Sequence, residues 1–124
     1  MTYHHLSVLV HRQAEKYGDK VALKYRDYDT AQWIPITWNN FSRTVRQAAN
    51  ALVALGVEEQ RNIGIFSQNK PECLFTDFAA FANRVVTIPL YATSSSAQAQ
   101  YIINDAQIRF LFVGEQFQYD AAFS

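Results

Sequence analysis

Two short apolar runs, residues 63–66 and 85–88, bracket the most hydrophobic part of the chain. The first run has no polar alternation, which is typical of a strand that is covered on both faces. Between the two runs, residues 73–82 are apolar at all but two positions, a pattern that predicts a helix buried inside a larger body. Strand, helix and strand in this order predict a parallel βαβ unit, with Phe78 packed onto both strands.

Local signals predict where this helix and the second strand end. Asn69 is the predicted N-cap, Glu72 stands at the capping-box position three residues later, and Pro71 fits the first turn. Asn83 tolerates the left-handed backbone conformation and is expected to close the helix. Pro89 is expected to end the strand because it has no N–H to donate.

The N-terminal part of the chain predicts a helix followed by a hairpin. Apolar residues at helical spacing predict the helix over residues 5–17, and Gly18 follows where a left-handed residue closes many helices. Two strand candidates, residues 21–25 and 33–37, lie on either side of a polar tip. They predict an antiparallel hairpin with a loose turn.

A second, longer helix is predicted directly after the hairpin. Thr37 is its expected N-cap, residues 38–55 are its expected length, and Gly56 is expected to close it. Apolar residues recur along one face, while the other face is polar. The expected apolar face comprises Phe41, Val45, Ala48, Leu52 and Leu55.

The C-terminal part of the chain predicts one more βα repeat. Ser95 is a good N-cap and Gln98 stands at the capping-box position, so a helix of about ten residues is expected to begin there. Residues 108–113 form a third apolar strand. Residues 116–124 read as the start of a further helix that is cut off after about two turns.

These elements predict an α/β fold with a parallel β-α-β-α-β core, flanking helices and an N-terminal antiparallel hairpin. Helix, hairpin and helix occupy residues 1–57, the βαβαβ unit residues 61–114, and the truncated helix residues 116–124. The length of 124 residues corresponds to one domain.

Composition and charge narrow the functional classes. Hydrophobic residues make up 49% of the chain, which argues against disorder. Eleven basic and eleven acidic residues leave no net charge, so no electrostatic attraction to nucleic acid or to an anionic membrane is expected. One cysteine excludes an internal disulfide and suits a reducing compartment. With no signal peptide or long apolar run, the expected location is the cytoplasm, with at most peripheral membrane contact.

Polar segments follow each of the three predicted parallel strands. They are residues 67–69, 91–95 and 114–116, and the carboxyl ends of parallel strands are where ligands gather in open sheets. The helix N-termini predicted at Asn69 and Ser95 could offer N–H groups to an anion. The alternative is that these residues only cap helices and form turns.

No motif in the chain names a reaction. It contains no G-x-G-x-x-G, no G-x-x-x-x-G-K-[ST] and no G-x-S-x-G. Cys73 is expected to be a core thiol, and Arg43 and Arg46 are expected to lie on a solvated helix face rather than to bind phosphate. Three histidines near the N-terminus lack a carboxylate or cysteine at metal-ligand spacing: His4, His5 and His11. The residues therefore assign no catalytic, cofactor-binding or metal-ligating side chain.

Several segments in succession nevertheless resemble the opening of acyl-CoA synthetases of the adenylate-forming, AMP-binding superfamily. The run VVTIPLYATS at residues 85–94 is most similar to the long-chain fatty-acid–CoA ligase branch. The resemblance covers nearly the whole chain. Its other segments are ITWNNF at residues 36–41, ALVALGV at 51–57, NIGIFSQNKPE at 62–72 and YIINDA at 101–106.

The resemblance implies an enzyme that activates a fatty acid with ATP and Mg to an acyl-adenylate, and then transfers the acyl group to CoA. Its phosphate loop, its Mg-binding acid and its catalytic lysine would all lie downstream of this chain. We therefore expect a structural N-terminal fragment, inactive alone and without a cofactor of its own. Its partners would be the remainder of the enzyme and, in a homodimer, a second copy. The alternative is a self-sufficient α/β module that binds a nucleotide or a protein at its strand ends.

The chain departs from the family at two glycine positions. Family members often have Gly-Asp before the first core strand, where this chain has Gln60-Arg61. They usually have glycine just before the second strand, where this chain has Asn83-Arg84.

Overall fold

The computed structural model describes residues 5–123, so His4 lies outside the described residues. These residues form five helices and five strands in the predicted order. They are α1 (Leu6–Tyr17), β1 (Val21–Asp27), β2 (Gln32–Thr37), α2 (Trp38–Ala54), β3 (Asn62–Phe66), α3 (Pro71–Ala82), β4 (Val86–Leu90), α4 (Ser96–Asp105), β5 (Phe110–Val113) and α5 (Gln116–Phe123).

The three core strands form one parallel sheet in the order β4-β3-β5. This arrangement confirms the predicted α/β fold with its parallel β-α-β-α-β core. Because side chains alternate along a strand, β3 sends Ile63 to one face and Phe66 to the other, and both are fully buried. Ile63 packs with α2 and α3, whereas Phe66 packs with α4 and α5. Helices therefore cover both faces, as a run without polar alternation predicts.

The N-terminal elements also form as predicted. Strands β1 and β2 pair antiparallel as a separate two-stranded sheet. Gly18 has a φ of +55° and donates its N–H to the carbonyl of Ala14. It thereby closes α1 with a positive φ, which glycine adopts more easily than other residues. Thr37 accepts a hydrogen bond from the N–H of Asn40 and so caps α2. Leu55, expected on the apolar face of α2, is 54% exposed at the C-cap.

The start of α3 corrects the predicted capping box. The N-cap is Lys70, one residue later than predicted, and it has no side-chain cap. Asn69 cannot take that position because Lys70 would then need helical backbone angles directly before Pro71, which the proline ring disfavours. Lys70 is instead extended, with φ of −144° and ψ of 159°. Pro71 occupies the first turn, as predicted.

Strand β4 continues through Pro89, where the sequence predicted its end. Pro89 is paired in register with Ile65, and Leu90 with Phe66. The order β4-β3-β5 makes β4 an edge strand. Proline is tolerated at an edge because its missing N–H can face away from the neighbouring strand. The prediction was wrong because the sequence does not show that β4 lies at the edge of the sheet.

The end of α3 corrects the role given to Asn83. Asn83 has a φ of −101°, and the left-handed residue is Arg84, with a φ of +57°. The amide of Asn83 instead donates to the carbonyl of Ala49 on α2 at 2.8 Å. Its side chain thus ties two helices together rather than permitting a turn.

Phe78 lies on a different face of α3 from the one predicted. Ala79 and Ala80 pack against Ile63 of the sheet, while Phe78 joins the cluster around Phe41 between α1, α2 and α3. The Phe78 and Phe41 rings meet edge to face with centroids 5.8 Å apart. Small residues allow α3 to lie close to the sheet, and its phenylalanines fill the space between helices.

Candidate functional site

The carboxyl ends of the three parallel strands bring the predicted polar segments to one edge of the sheet. We call the three connections at this edge the rim loops: residues 67–70 after β3, residues 91–95 after β4, and residues 114–115 after β5. The chain passes from β3 to β4 on one side and then crosses to β5 on the other side of β3. The topological switch point, where ligands bind in open α/β sheets, therefore lies between β3 and β5.

Lys70 bridges this switch point. Its Nζ donates to the carbonyl oxygen of Gly114 at 2.8 Å and lies 2.7 Å from the Glu115 carboxylate. The N–H of Gly114 also donates to the carbonyl of Phe66 at 2.9 Å. The loop after β3 and the turn after β5 are thereby held together by a charged and a backbone contact.

Gly114 is required by the closeness of these two loops. A Cβ at this position would overlap the Ser67 hydroxyl and would lie 3.1 Å from the Ser67 Cα. The second contact is with backbone, which cannot rotate away. Ser67 donates its hydroxyl to the carbonyl of Gln68 at 2.8 Å, so it is occupied locally.

A cavity of about 310 Å³ lies beneath the Lys70 bridge, between α3 and the ends of β3 and β5. Its floor is apolar and its wall carries small polar groups. The lining includes Ile65, Phe112, Lys70, Cys73 and Thr76. Two of its polar side chains bond to nearby backbone: the Cys73 thiol lies 3.4 Å from the Gln68 carbonyl, and Thr76 donates to the Glu72 carbonyl.

The helix N-terminus predicted at Ser95 is already satisfied. Ser95 accepts from the N–H of Gln98, and the Gln98 side chain accepts from the N–H of Ser95. Both halves of the predicted capping box are present. At α3 the first helical residue is Pro71, which has no N–H. The start of α4 is thus capped by its own side chains, and the start of α3 has one N–H fewer than an ordinary helix.

Gln118 is a rim residue that the sequence analysis missed. It is fully buried on α5, where its Oε1 accepts from the N–H of Glu115 at 3.0 Å and its Nε2 donates to the carbonyl of Ala92 at 3.1 Å. The first bond is half of a capping box, a signal that the spacing of Glu115 and Gln118 contained. The second depends on how α5 packs and has no local signal.

The remaining candidates do not converge on one site. His11 Nδ1 lies 2.6 Å from the Ser42 hydroxyl between α1 and α2, and His5 contacts Ser7. Within residues 5–123, no three His, Cys, Asp or Glu side chains come close enough to hold a metal ion. Two arginines are exposed on α2, as expected: Arg43 and Arg46.

A wider groove of about 1080 Å³ separates the hairpin from the N-terminal half of α3. Charges of both signs line it, among them Arg26, Lys70 and Asp77. Burial raises the pKa of Asp77, and a hydrogen bond with Thr87 opposes that rise. Arg26 lies over the Trp33 ring, 5.6 Å from its centroid. The groove combines charge and apolar surface without a pair of groups placed for acid–base chemistry.

None of the helices within residues 5–123 is both long and apolar enough to cross a membrane.

Comparison with known proteins identifies what this architecture is similar to. The family model described as AMP-binding enzyme matches residues 10–123. Human long-chain-fatty-acid–CoA ligase ACSBG1 is 32% identical over 118 residues, which cover 91% of this chain and 16% of that protein. Long chain acyl-CoA synthetase 1 of Arabidopsis thaliana is 30% identical over 105 residues, which cover 82% of this chain and 16% of that protein. The chain thus spans about a sixth of the length of these relatives.

Solved structures share the fold at lower identity. A fatty acyl-CoA synthetase of Mycobacterium tuberculosis superposes on 97% of this chain with a TM-score of 0.82 and 16% identity, covering 24% of that structure. The anthranilate CoA ligase AuaEII, solved with anthranoyl-AMP, superposes on 98% with a TM-score of 0.84 and 21% identity, covering 22% of that structure. At such identities the likeness concerns the fold alone.

Proposed function

The chain belongs to the AMP-binding enzyme family, and from this premise we propose that it is the N-terminal portion of a long-chain fatty-acid–CoA ligase. The complete enzyme would join a fatty acid to ATP, releasing pyrophosphate and forming an acyl-adenylate. The CoA thiol would then displace AMP to give acyl-CoA. The 124-residue portion alone would be an inactive scaffold.

The observation that carries the long-chain assignment is the identity with long-chain ligases across most of this chain. That identity is 32% to human ACSBG1 and 30% to long chain acyl-CoA synthetase 1 of Arabidopsis thaliana. The substrate class is thus inferred from sequence relatives, while the structures contribute the architecture.

The scaffold role is supported by the hydrogen bonds that polar groups near the rim loops make within the chain. Lys70, Gln118 and Ser95 all bond within the described chain, and buried side-chain polar atoms of residues 5–123 have hydrogen-bond partners. We therefore assign the binding of ATP, Mg and CoA to the remainder of the enzyme.

The remainder of the enzyme is the proposed main partner, and a second copy of the enzyme is a further one. Several large apolar side chains are exposed and available for such contacts. They include Leu6, Leu74, Val86, Phe117 and Phe123. Sedimentation equilibrium of the intact enzyme is expected to give a dimer, and a monomer over about a hundredfold range of concentration would contradict the homodimer. The proposed location is the cytoplasm.

Acid-dependent ATP–pyrophosphate exchange by the intact protein tests the proposed activity. We expect palmitate to stimulate the exchange and benzoate to leave it at the blank. Exchange with benzoate alone would retain the family and overturn the long-chain assignment. A reading frame that stops directly after Ser124 would overturn the scaffold role and favour a self-sufficient module.

A further inference from the structure

Two side chains join the three rim loops into one connected unit. Lys70 links the loop after β3 to the turn after β5, through the Gly114 carbonyl and the Glu115 carboxylate. Gln118 links that same turn to the loop after β4, through the Glu115 N–H and the Ala92 carbonyl. The two links share Glu115, so they form a continuous chain of contacts across the edge of the sheet. We call these contacts the rim brace.

The hydrogen bonds of the rim brace are strong because they are buried or involve a charged group. Gln118 is fully buried, and the Lys70 side chain is 29% exposed. Hydrogen bonds to an ammonium group are stronger than neutral ones, and a buried amide that loses its partners pays the full cost of desolvation. The close approach of Gly114 to Ser67 adds a steric restraint at the same place. The three loops are therefore restrained as one unit.

The brace spans the position where an open parallel sheet binds its ligand. It crosses the switch point between β3 and β5 and reaches the loop of residues 91–95 at the end of β4. We propose that Lys70 and Gln118 are positioning residues, which hold the rim loops in the conformation that contacts substrate in the complete ligase. This inference rests on the proposed function, because the substrate contacts are those of the complete ligase.

Direct catalysis is not the role that this geometry gives to Lys70. Its ammonium group is engaged by one carbonyl and one carboxylate, both within 2.8 Å. Gln118 is buried and cannot reach a ligand. Both residues thus act on substrate through the backbone of the loops they join, and their loss is expected to affect substrate binding more than the chemical step.

Variants of the intact ligase test the brace with matched controls. Lys70→Met and Gln118→Met each remove one link and keep the length of the side chain. Gln116→Met is the control on the same helix, since Gln116 bonds only to Asp120 one turn away on α5. Lys24→Met, at an exposed position of β1, is the control for loss of a lysine. Lys70→Arg retains the charge and the donors.

Two readouts are needed, the amide hydrogen exchange of residues 91–95 and 114–116 and the steady-state constants for fatty acid, ATP and CoA. We expect the two brace variants to exchange faster at these amides and to raise KM for at least one substrate by about tenfold, with kcat changed by less than about twofold. Lys70→Arg is expected to restore KM, and the two control variants to behave like the wild type.

Unchanged exchange in both brace variants would show that there is no brace. Faster exchange with all three KM values unchanged would show that the rim loops do not serve substrate binding. A wild-type enzyme without fatty-acid-dependent activity would refute the proposed function instead, and the exchange measurement would still decide whether the brace exists. If Gln118→Met fails to fold, Lys70→Met carries the same test.

Discussion

Gln60 and Arg84 lie side by side at the amino end of the sheet, and both have left-handed backbone, with φ of +65° and +57°. The N–H and the side-chain amide of Gln60 both donate to the carbonyl of Arg84. They belong to the two pairs, Gln60-Arg61 and Asn83-Arg84, at which the chain departs from the glycine-containing pattern of the family it resembles. A side chain in this conformation costs about 1–2 kcal/mol, and the two hydrogen bonds that Gln60 donates stabilise the arrangement.

Arg84→Gly is expected to stabilise the chain. The variant relieves the strain of the left-handed backbone. Glycine also makes the unfolded chain more flexible, which offsets part of this gain. The net stabilisation is expected to be about 0.5–1 kcal/mol. The lost ion pair with Glu59 joins two largely exposed side chains and contributes little. Urea denaturation measures the change, and Arg84→Ala is the control because it removes the side chain and retains the strain. Equal stability of the two variants would refute strain as the cause.

His11, which lies between α1 and α2, makes the free energy of unfolding depend on pH. Burial lowers its pKa below the ordinary 6.5, the Arg46 guanidinium lowers it further, and Glu15 opposes the shift. The unfolded chain therefore takes up the proton more readily than the folded chain. The contribution of His11 to stability is present above pH 6.5 and is lost as the pH falls from 6.5 toward the lower folded pKa.

His11→Gln tests this dependence, because glutamine can still form a hydrogen bond with Ser42. Free energies of unfolding from urea melts are compared between about pH 8 and pH 5. The wild-type chain is expected to lose more stability toward acid than the variant. Parallel pH profiles for the two proteins would show that His11 does not titrate differently on folding.

At the scale of elements, local patterns predicted which segments form helices and strands, and non-local facts decided the details. The capping box at Ser95 and the N-cap at Thr37 each involve residues three positions apart, so both could be predicted from the sequence. Pro89 was wrongly expected to end β4 because its tolerance follows from the order of strands in the sheet. The face of α3 that meets the sheet was misassigned because Phe78 and Ala79 are both apolar, and only packing distinguishes them.

Phe78→Ala is expected to destabilise the packing of α3 on α1 and α2. Phe78 is half-buried against Phe41, so a loss of about 2–3 kcal/mol is expected, below the roughly 3–5 kcal/mol of a fully buried phenylalanine. Leu74→Ala is the control on the same helix, since Leu74 is 42% exposed and its loss should cost less than about 1 kcal/mol. Equal losses in urea melts would contradict this orientation of α3.

At the scale of the whole molecule, the fold was predictable from sequence and the rim brace was not. Three apolar strands separated by helices define the parallel sheet, and polar residues after each strand identify its carboxyl edge. Lys70 gains both partners, and Gln118 its bond to Ala92, only when segments that are 44–45 and 26 residues apart in sequence meet. The proposed activity rests on resemblance to the family rather than on any side chain described within residues 5–123.

The most direct test of the account is fatty-acid-dependent ATP–pyrophosphate exchange by the purified 124-residue chain. The account assigns the phosphate-binding and catalytic groups to the remainder of the ligase, and a scaffold cannot stabilise the charge that develops at the transferring phosphate. We expect exchange at the level of the blank, while the intact enzyme is stimulated by palmitate. Exchange above the blank from the isolated chain would contradict the account.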